Sequence, residues 1–189
     1  MTKRKIIRTA FAGLAIAGAA TAATAAIVPI EAQVKQMMLE SAFAETAKSG
    51  EAQKPWDSAD MRAIGKIHHV RLNESAVVLS AGTQEAMRAG PTLVPGSAAI
   101  GAAGTSVIAA HRDTHFAFLQ HVKKGDVMRA AGADGTMRDY TVTRVQIVHA
   151  DNFSIATGLR ESHLVLSTCH PFGSMRGGKL RYVVHAVAG

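Results

Sequence analysis

Cysteine is nearly absent from this 189-residue chain: there is one, Cys169. A single cysteine cannot close an internal disulfide, so no disulfide framework staples the fold. There is no Cys-x-x-Cys pair and no His-Glu-x-x-His, which removes the common structural and catalytic zinc signatures. Aromatic residues make up 5% of the chain, and no basic run interleaves with them, so nucleic-acid binding has no support. No internal repeat is present.

The formal charge of +7 does not restore that possibility, because it is unevenly placed. Lys3, Arg4, Lys5 and Arg8 supply four positive charges in the first eight residues, whereas from Trp56 onward fourteen Lys/Arg stand against ten Asp/Glu. The charge reads as a targeting signal attached to a mildly basic domain. After the basic cluster come 22 uncharged residues, Thr9 to Ile30, ten of them alanine. That length suffices for a helix to cross a hydrocarbon core and exceeds the apolar region of an ordinary signal peptide. An uncleaved signal anchor is expected over residues 1–30. Its basic tip would lie in the cytoplasm, with the remainder exported to the periplasm. The two Ala-Thr-Ala tripeptides, at Ala20–Ala22 and Ala23–Ala25, keep a cleaved signal peptide as the alternative. The expected location is thus the inner membrane.

Residues 31–55 read as a helical stalk that loses order near Ser49-Gly50 and serves as a spacer, with Val34, Met38 and Phe43 near helical spacing. From Trp56 to Gly189 the texture is mainly β. Short apolar runs such as "AIGKIHHV", "AVVL", "SVIAA", "VMRAA", "HLVLSTC" and "LRYVVHAV" are separated by Gly90-Pro91, Pro95-Gly96, Lys124-Gly125-Asp126 and Gly177-Gly178. "TQEAMRAG" and "THFAFLQHV" read as short helical inserts. Seven or eight short strands with few helices predict a closed or nearly closed β-barrel over residues 56–189.

Three chemically distinctive residues sit at strand ends. His111 follows the apolar run Ser106 to Ala110, Cys169 ends the run from His163, and Arg181 opens the last strand. Alternation puts Arg181, Val183 and His185 on one face of that strand and Leu180, Tyr182 and Val184 on the other. Acyl transfer needs these residue types. A thiolate attacks, an imidazole moves the proton, and a guanidinium that never loses its charge donates to the oxyanion. Each residue also has a plainer reading: a core cysteine, a structural histidine, a solvated arginine. A metal site built from His111, His115, Cys169 and His170 is a further alternative, weakened because His111 follows a strand and need not share a helical face with His115. A non-enzymatic, metal- or envelope-binding barrel and another envelope cysteine enzyme stay open as well. The L,D-transpeptidase pattern has Ser-x-Gly-Cys where this chain has Ser-Thr-Cys-His-Pro.

"AAHRDTHFAFLQHVKKGD" together with "LVLSTCHPFGSMRGGKLRYVV" resembles the sortases, most closely the single-sortase group of Gram-negative bacteria, which is similar to class D. "KPW" and "AMRAGPTLVPGSAAIG" fit the same group, so the resemblance spans Lys54 to Gly189. It implies an eight-stranded sortase-type β-barrel preceded by an N-terminal transmembrane helix. The implied enzyme is a cysteine transpeptidase that cleaves an LPxTG-like signal near the C-terminus of an exported protein and joins it to an amine-bearing envelope acceptor. It needs no metal and no organic cofactor. His111, Cys169 and Arg181 match the family's catalytic positions, with Arg176 the competing arginine. Thr168 matches a position that contacts substrate or supports the oxyanion site, and Arg112, Asp113 and His115 match supporting positions around the histidine. The chain departs from the family at Ala110, where glycine is usual, at Ser167, where valine or isoleucine is usual, and at His170, where tyrosine is frequent. Ala110 places a methyl beside the site, and His170 is expected to tune the thiol.

Overall fold

The computed structural model describes residues 31–80, 82–152, 154–156, 158–174 and 177–189. The expected membrane anchor, residues 1–30, lies outside them, as does Arg176. Among the described residues no helix is long and apolar enough to cross a membrane. The chain divides into two compact units, Met1–Met37 and Met38–Gly189. In the first, residues 31–37 are helical and exposed, with Lys35 and Glu31 paired one turn apart at 2.7 Å.

The second unit opens with a helix, α1, over residues 38–49. The sequence suggested a spacer, but Leu39, Ala42, Phe43 and Thr46 are buried. Their three- and four-residue spacing makes one apolar stripe, which packs on Met61, Ala63, Val77 and Leu79. The expected Val34 and Met38 are exposed and lie off this stripe. Thr46 secures the contact, because its hydroxyl donates to the Ala63 carbonyl at 2.9 Å and accepts from the Gln53 amide at 2.9 Å. Gly50, at φ +76°, ends the helix with its amide on the Thr46 carbonyl. The compact unit starts at Met38.

Eight strands close into a barrel in the order β1-β2-β3-β4-β7-β8-β6-β5. They are β1 (Ala63–His69), β2 (Glu74–Leu79), β3 (Thr92–Leu93), β4 (Gly104–Ala109), β5 (Val127–Ala131), β6 (Arg138–His149), β7 (Ser162–His170) and β8 (Leu180–Ala188). The two helical inserts are α2 (Gln84–Ala89), capped by the Thr83 hydroxyl on the Ala86 amide, and a 3₁₀ turn at Ala117–His121. Only β3 escaped the sequence reading. It is two residues long and exists because Leu79 pairs with Thr92 on one side and Ala109 and Ile108 pair with it on the other.

Ile67, Ile108, Phe116, Met128, Tyr140, Leu164, Leu166 and Val184 fill the interior. Full burial of such side chains contributes about 1.5–3 kcal/mol each. Strand β1 approaches β5 so closely that a Cβ on Gly65 would lie 2.6 Å from the Ala131 carbonyl oxygen, so only glycine fits there.

A polar knot ties β1 to the Lys123–Asp126 turn. Asp126 accepts from Arg71 Nε (2.8 Å) and Nη2 (2.7 Å), from the Lys123 amide (2.8 Å) and from His69 Nε2 (3.1 Å). His69 Nδ1 accepts from the Leu72 amide, so the ring proton is on Nε2 and faces the carboxylate. The Arg71 bonds hold the Asp126 carboxyl far below the usual carboxylate range, and burial holds His69 below the usual histidine value.

Candidate active site

Strand β7 runs between β4, parallel to it, and β8, antiparallel to it. Its alternate residues face opposite ways. Leu164 and Leu166 point into the core with Val184 and Ala186 of β8. Val165 and Val183 point outward, where with Val107 of β4 they form a separate small apolar cluster. By the same alternation Cys169 and Arg181 lie on the outer face. They are also directly opposite one another in the β7–β8 register. Directly opposed residues have Cβ atoms about 4.5–5.5 Å apart, which brings the thiol and the guanidinium stem side by side.

Cys169 is free and half-buried, which sets aside the plain core-cysteine reading. Arg181 is also half-buried, and its Nη1 donates to the carbonyls of Gly178 (2.8 Å) and Leu180 (3.0 Å). Those bonds fix one edge of the guanidinium at the strand mouth. The carboxylate nearby, Asp151, pairs with Lys179 instead, at 3.1 Å.

His111 reaches the same end of the sheet by a different route. Ala109 of β4 is level with Ser167 of β7, and the Ala110 amide continues the ladder to the Ser167 carbonyl. The buried Thr168 hydroxyl then donates to the Ala110 carbonyl at 2.7 Å. The residue before the cysteine thus holds the residue before the histidine. This bond, which the sequence did not indicate, sets where His111 leaves the strand. The Ala110 methyl belongs to the core cluster, so it packs inward and not over the site. His111 is exposed and borders a cavity of about 330 Å³ with Met87 and Arg88 of α2.

The other matched residues brace this corner. Arg112 is buried, donates from Nη2 to the Ser174 carbonyl, and lies 3.4 Å through Nε from the exposed Asp113 carboxylate. It joins the His111 segment to the loop between Cys169 and Arg181. His115 Nε2 lies 3.3 Å from the Arg88 carbonyl, which ties the same segment to the end of α2. Burial holds His115 below the usual histidine value, and the charge of His111 nearby adds to that. No motif in the sequence signals these contacts, because they are made to the backbone carbonyls of Ser174, in a distant loop, and of Arg88, at the end of α2.

His170 departs from expectation. It follows Cys169 in β7 and so faces the other side of the strand. Its ring stacks on Tyr182, with centroids 6.1 Å apart and planes at 24°, and meets Phe172 edge-on at 6.1 Å. It is an aromatic packing element there and not a neighbour of the thiol. The same geometry breaks up the four-residue metal set that sequence spacing left open. No group of three metal-ligating side chains gathers among the described residues.

Comparison with known proteins bears on the fold and the family. Residues 67–188 match the family described as the Sortase domain. Sortase D of Bacillus subtilis (strain 168) is 34% identical over 83 residues, 43% of this chain and 41% of that protein, so the match spans about two fifths of the relative's length. Among solved structures, a Clostridium perfringens Sortase D5 transpeptidase superposes with a TM-score of 0.65 at 19% identity, covering 83% of this chain and 99% of that one. Sortase A from Corynebacterium diphtheriae, a lid mutant, gives 0.62 at 19% identity over 83% and 94%. The pilus-related Sortase C of Group B Streptococcus gives 0.60 at 24% identity over 67% of each chain. These superpositions establish the fold. The family match runs from within β1 to the end of β8, covers more than half of the chain and takes in both strands that carry Cys169 and Arg181, so the chain belongs to the sortase family.

Proposed function

We propose that this chain is a class D-like cysteine transpeptidase acting on an LPxTG-like signal near the C-terminus of an exported protein. One observation carries the reading: a half-exposed lone thiol lies directly across the β7–β8 ladder from an arginine, at the sheet corner where His111 also emerges.

The Cys169 thiolate attacks the carbonyl carbon of the signal's threonine. Negative charge moves to the carbonyl oxygen, where the Arg181 guanidinium donates to it. The oxyanion collapses, the C–N bond breaks, and His111 in its protonated form delivers a proton to the departing amine. The acyl group is then a thioester on Cys169. An amine of the cell envelope attacks that thioester and gives up a proton to the now neutral His111, the thiolate leaves, and a new amide joins substrate to acceptor. Water in place of the amine gives hydrolysis. Thr168 and Arg112 position the machinery, through the Ala110 and Ser174 carbonyls respectively. Residues 1–30 tether the enzyme in the inner membrane with the barrel in the periplasm. That reading rests on the basic cluster followed by 22 uncharged residues.

Cys169→Ala tests the proposal. It is expected to abolish cleavage of an LPxTG-type peptide while leaving the melting temperature within about 2 °C, since the sulfur is not core. Retained turnover would falsify the thiol mechanism.

A further inference from the structure

A guanidinium serves an oxyanion only while its own protein leaves it free. A carboxylate can take two parallel N–H···O bonds from an arginine, which occupies its donors and offsets its charge. Asp113 and Asp151 are both carboxylates of this corner of the sheet, and each is held by a cation other than Arg181. Asp113 lies 3.4 Å from Arg112 Nε, and Asp151 lies 3.1 Å from Lys179 Nζ. Among the described residues no carboxylate pairs with Arg181, whose Nη1 is spent on the Gly178 and Leu180 carbonyls.

Asp151 is within an arginine's reach of that guanidinium. Register places Val148 of β6 opposite Arg181. The ladder then runs one step past both strands, where the Ala150 amide donates to the Lys179 carbonyl at 2.7 Å. Asp151 follows Ala150, so it stands beside Lys179, two residues of β8 and about 7 Å from the level of Arg181. Gly178 and Leu180, which anchor the guanidinium, are the two chain neighbours of Lys179. One short turn therefore fixes the arginine and carries the cation that holds the acid. His149 Nδ1 lies 3.7 Å from the same Asp151 oxygen and adds to the hold when protonated.

Stability does not account for this pair. The Lys179 side chain is 73% exposed and that of Asp151 60%, and exposed pairs contribute little to folding. What the pair changes is which cation the acid meets. Without Lys179, the next fixed cation along the ladder is Arg181.

We infer that Lys179 is a positioning residue: it holds Asp151 off Arg181 and so keeps the guanidinium available to the oxyanion. The inference rests on the transpeptidase reading above for the role of Arg181. The test uses the full-length enzyme and an LPxTG-type peptide. Lys179→Gln is expected to cut kcat/KM about threefold, through kcat, with the melting temperature unchanged, and added salt should shrink the loss. Lys179→Arg should keep the activity. Lys179→Gln combined with Asp151→Asn should recover it, which a merely structural role for Lys179 does not produce. A second readout needs no turnover, because Cys169 is the one thiol of the chain. The Arg181 charge favours alkylation of Cys169 by the anion iodoacetate over neutral iodoacetamide. Lys179→Gln should lower that rate ratio about threefold, adding Asp151→Asn should restore it, and neither change should move it in an Arg181→Ala background. An equal fall without Arg181 would mean that Lys179 acts on the thiol directly, and it overturns the inference. Turnover unaltered by Lys179→Gln, or a double variant no better than Lys179→Gln, also overturns it and leaves the chemistry intact. The expected alkylation pattern without peptide turnover by the unmodified enzyme supports the placement of Lys179 and overturns the chemistry.

Discussion

The two faces of the β7–β8 ribbon carry opposite demands on the same eighteen residues. Inward, Leu164, Leu166, Val184 and Ala186 are almost wholly buried and hold the barrel together. Outward, Cys169 and Arg181 are half-exposed and sit beyond a thin strip of valines. The two-residue period of a strand lets one ribbon do both, and each residue's role follows from its parity. At the end of the outer face beyond the buried valines, Cys169 and Arg181 can change chemistry without touching the core, because the backbone that places them is fixed from the other side.

That comparison can be broken from either face. Leu166→Ala should act on the inner face alone, lowering unfolding free energy by about 2–5 kcal/mol while the folded fraction keeps its kcat. A loss of kcat with unchanged stability would contradict the division. Arg181→Ala should do the reverse. It is expected to cut kcat/KM by about 10²–10³, as removal of an oxyanion donor does, with little change in melting temperature. Arg176→Ala should fall well short of that, and equal losses would reassign the donor.

The acid response of the remote His69–Asp126–Arg71 knot gives a stability reference far from Cys169. Asp126 and His69 both have folded proton affinities below their unfolded values, so the unfolded chain takes up more protons as pH falls. Their stabilisation is present above the unfolded pKa values, about 6.5 for histidine and 3.9 for aspartate, and is lost on acidification. The melting temperature should therefore drop between pH 7.5 and pH 2, and Asp126→Asn should remove the part of the drop that falls below about pH 4. A flat profile would remove the knot as its source. The smallest effect is expected at His170→Tyr. The ring faces away from the thiol and stacks on Tyr182, so kcat/KM between pH 6 and pH 8 should change less than about threefold. A displaced pH profile would put the ring back beside the sulfur.

The strand strings were legible because their alternation and turn residues are local signals. The same alternation correctly separated Arg181 and His185 from Tyr182 and Val184. Applied one residue further, it also turns His170 away from Cys169, and that step corrects the expectation that His170 tunes the thiol. Features set by distant partners were not legible. Strand β3 is held by neighbours on both sides, Leu39, Ala42 and Phe43 show their burial only against β1 and β2, and Arg112 reaches a carbonyl sixty-two residues away. The Thr168–Ala110 bond belongs to the same class, since parallel β4–β7 pairing has no mark in sequence.

The most direct measurement of the central claim is the intact mass of the enzyme during turnover without an acceptor amine. The thioester mechanism predicts a transient adduct equal in mass to the N-terminal peptide acid less one water, located on Cys169 and discharged by added hydroxylamine. Cleavage of the peptide with no adduct on Cys169, or an adduct that persists in Cys169→Ala, would contradict it.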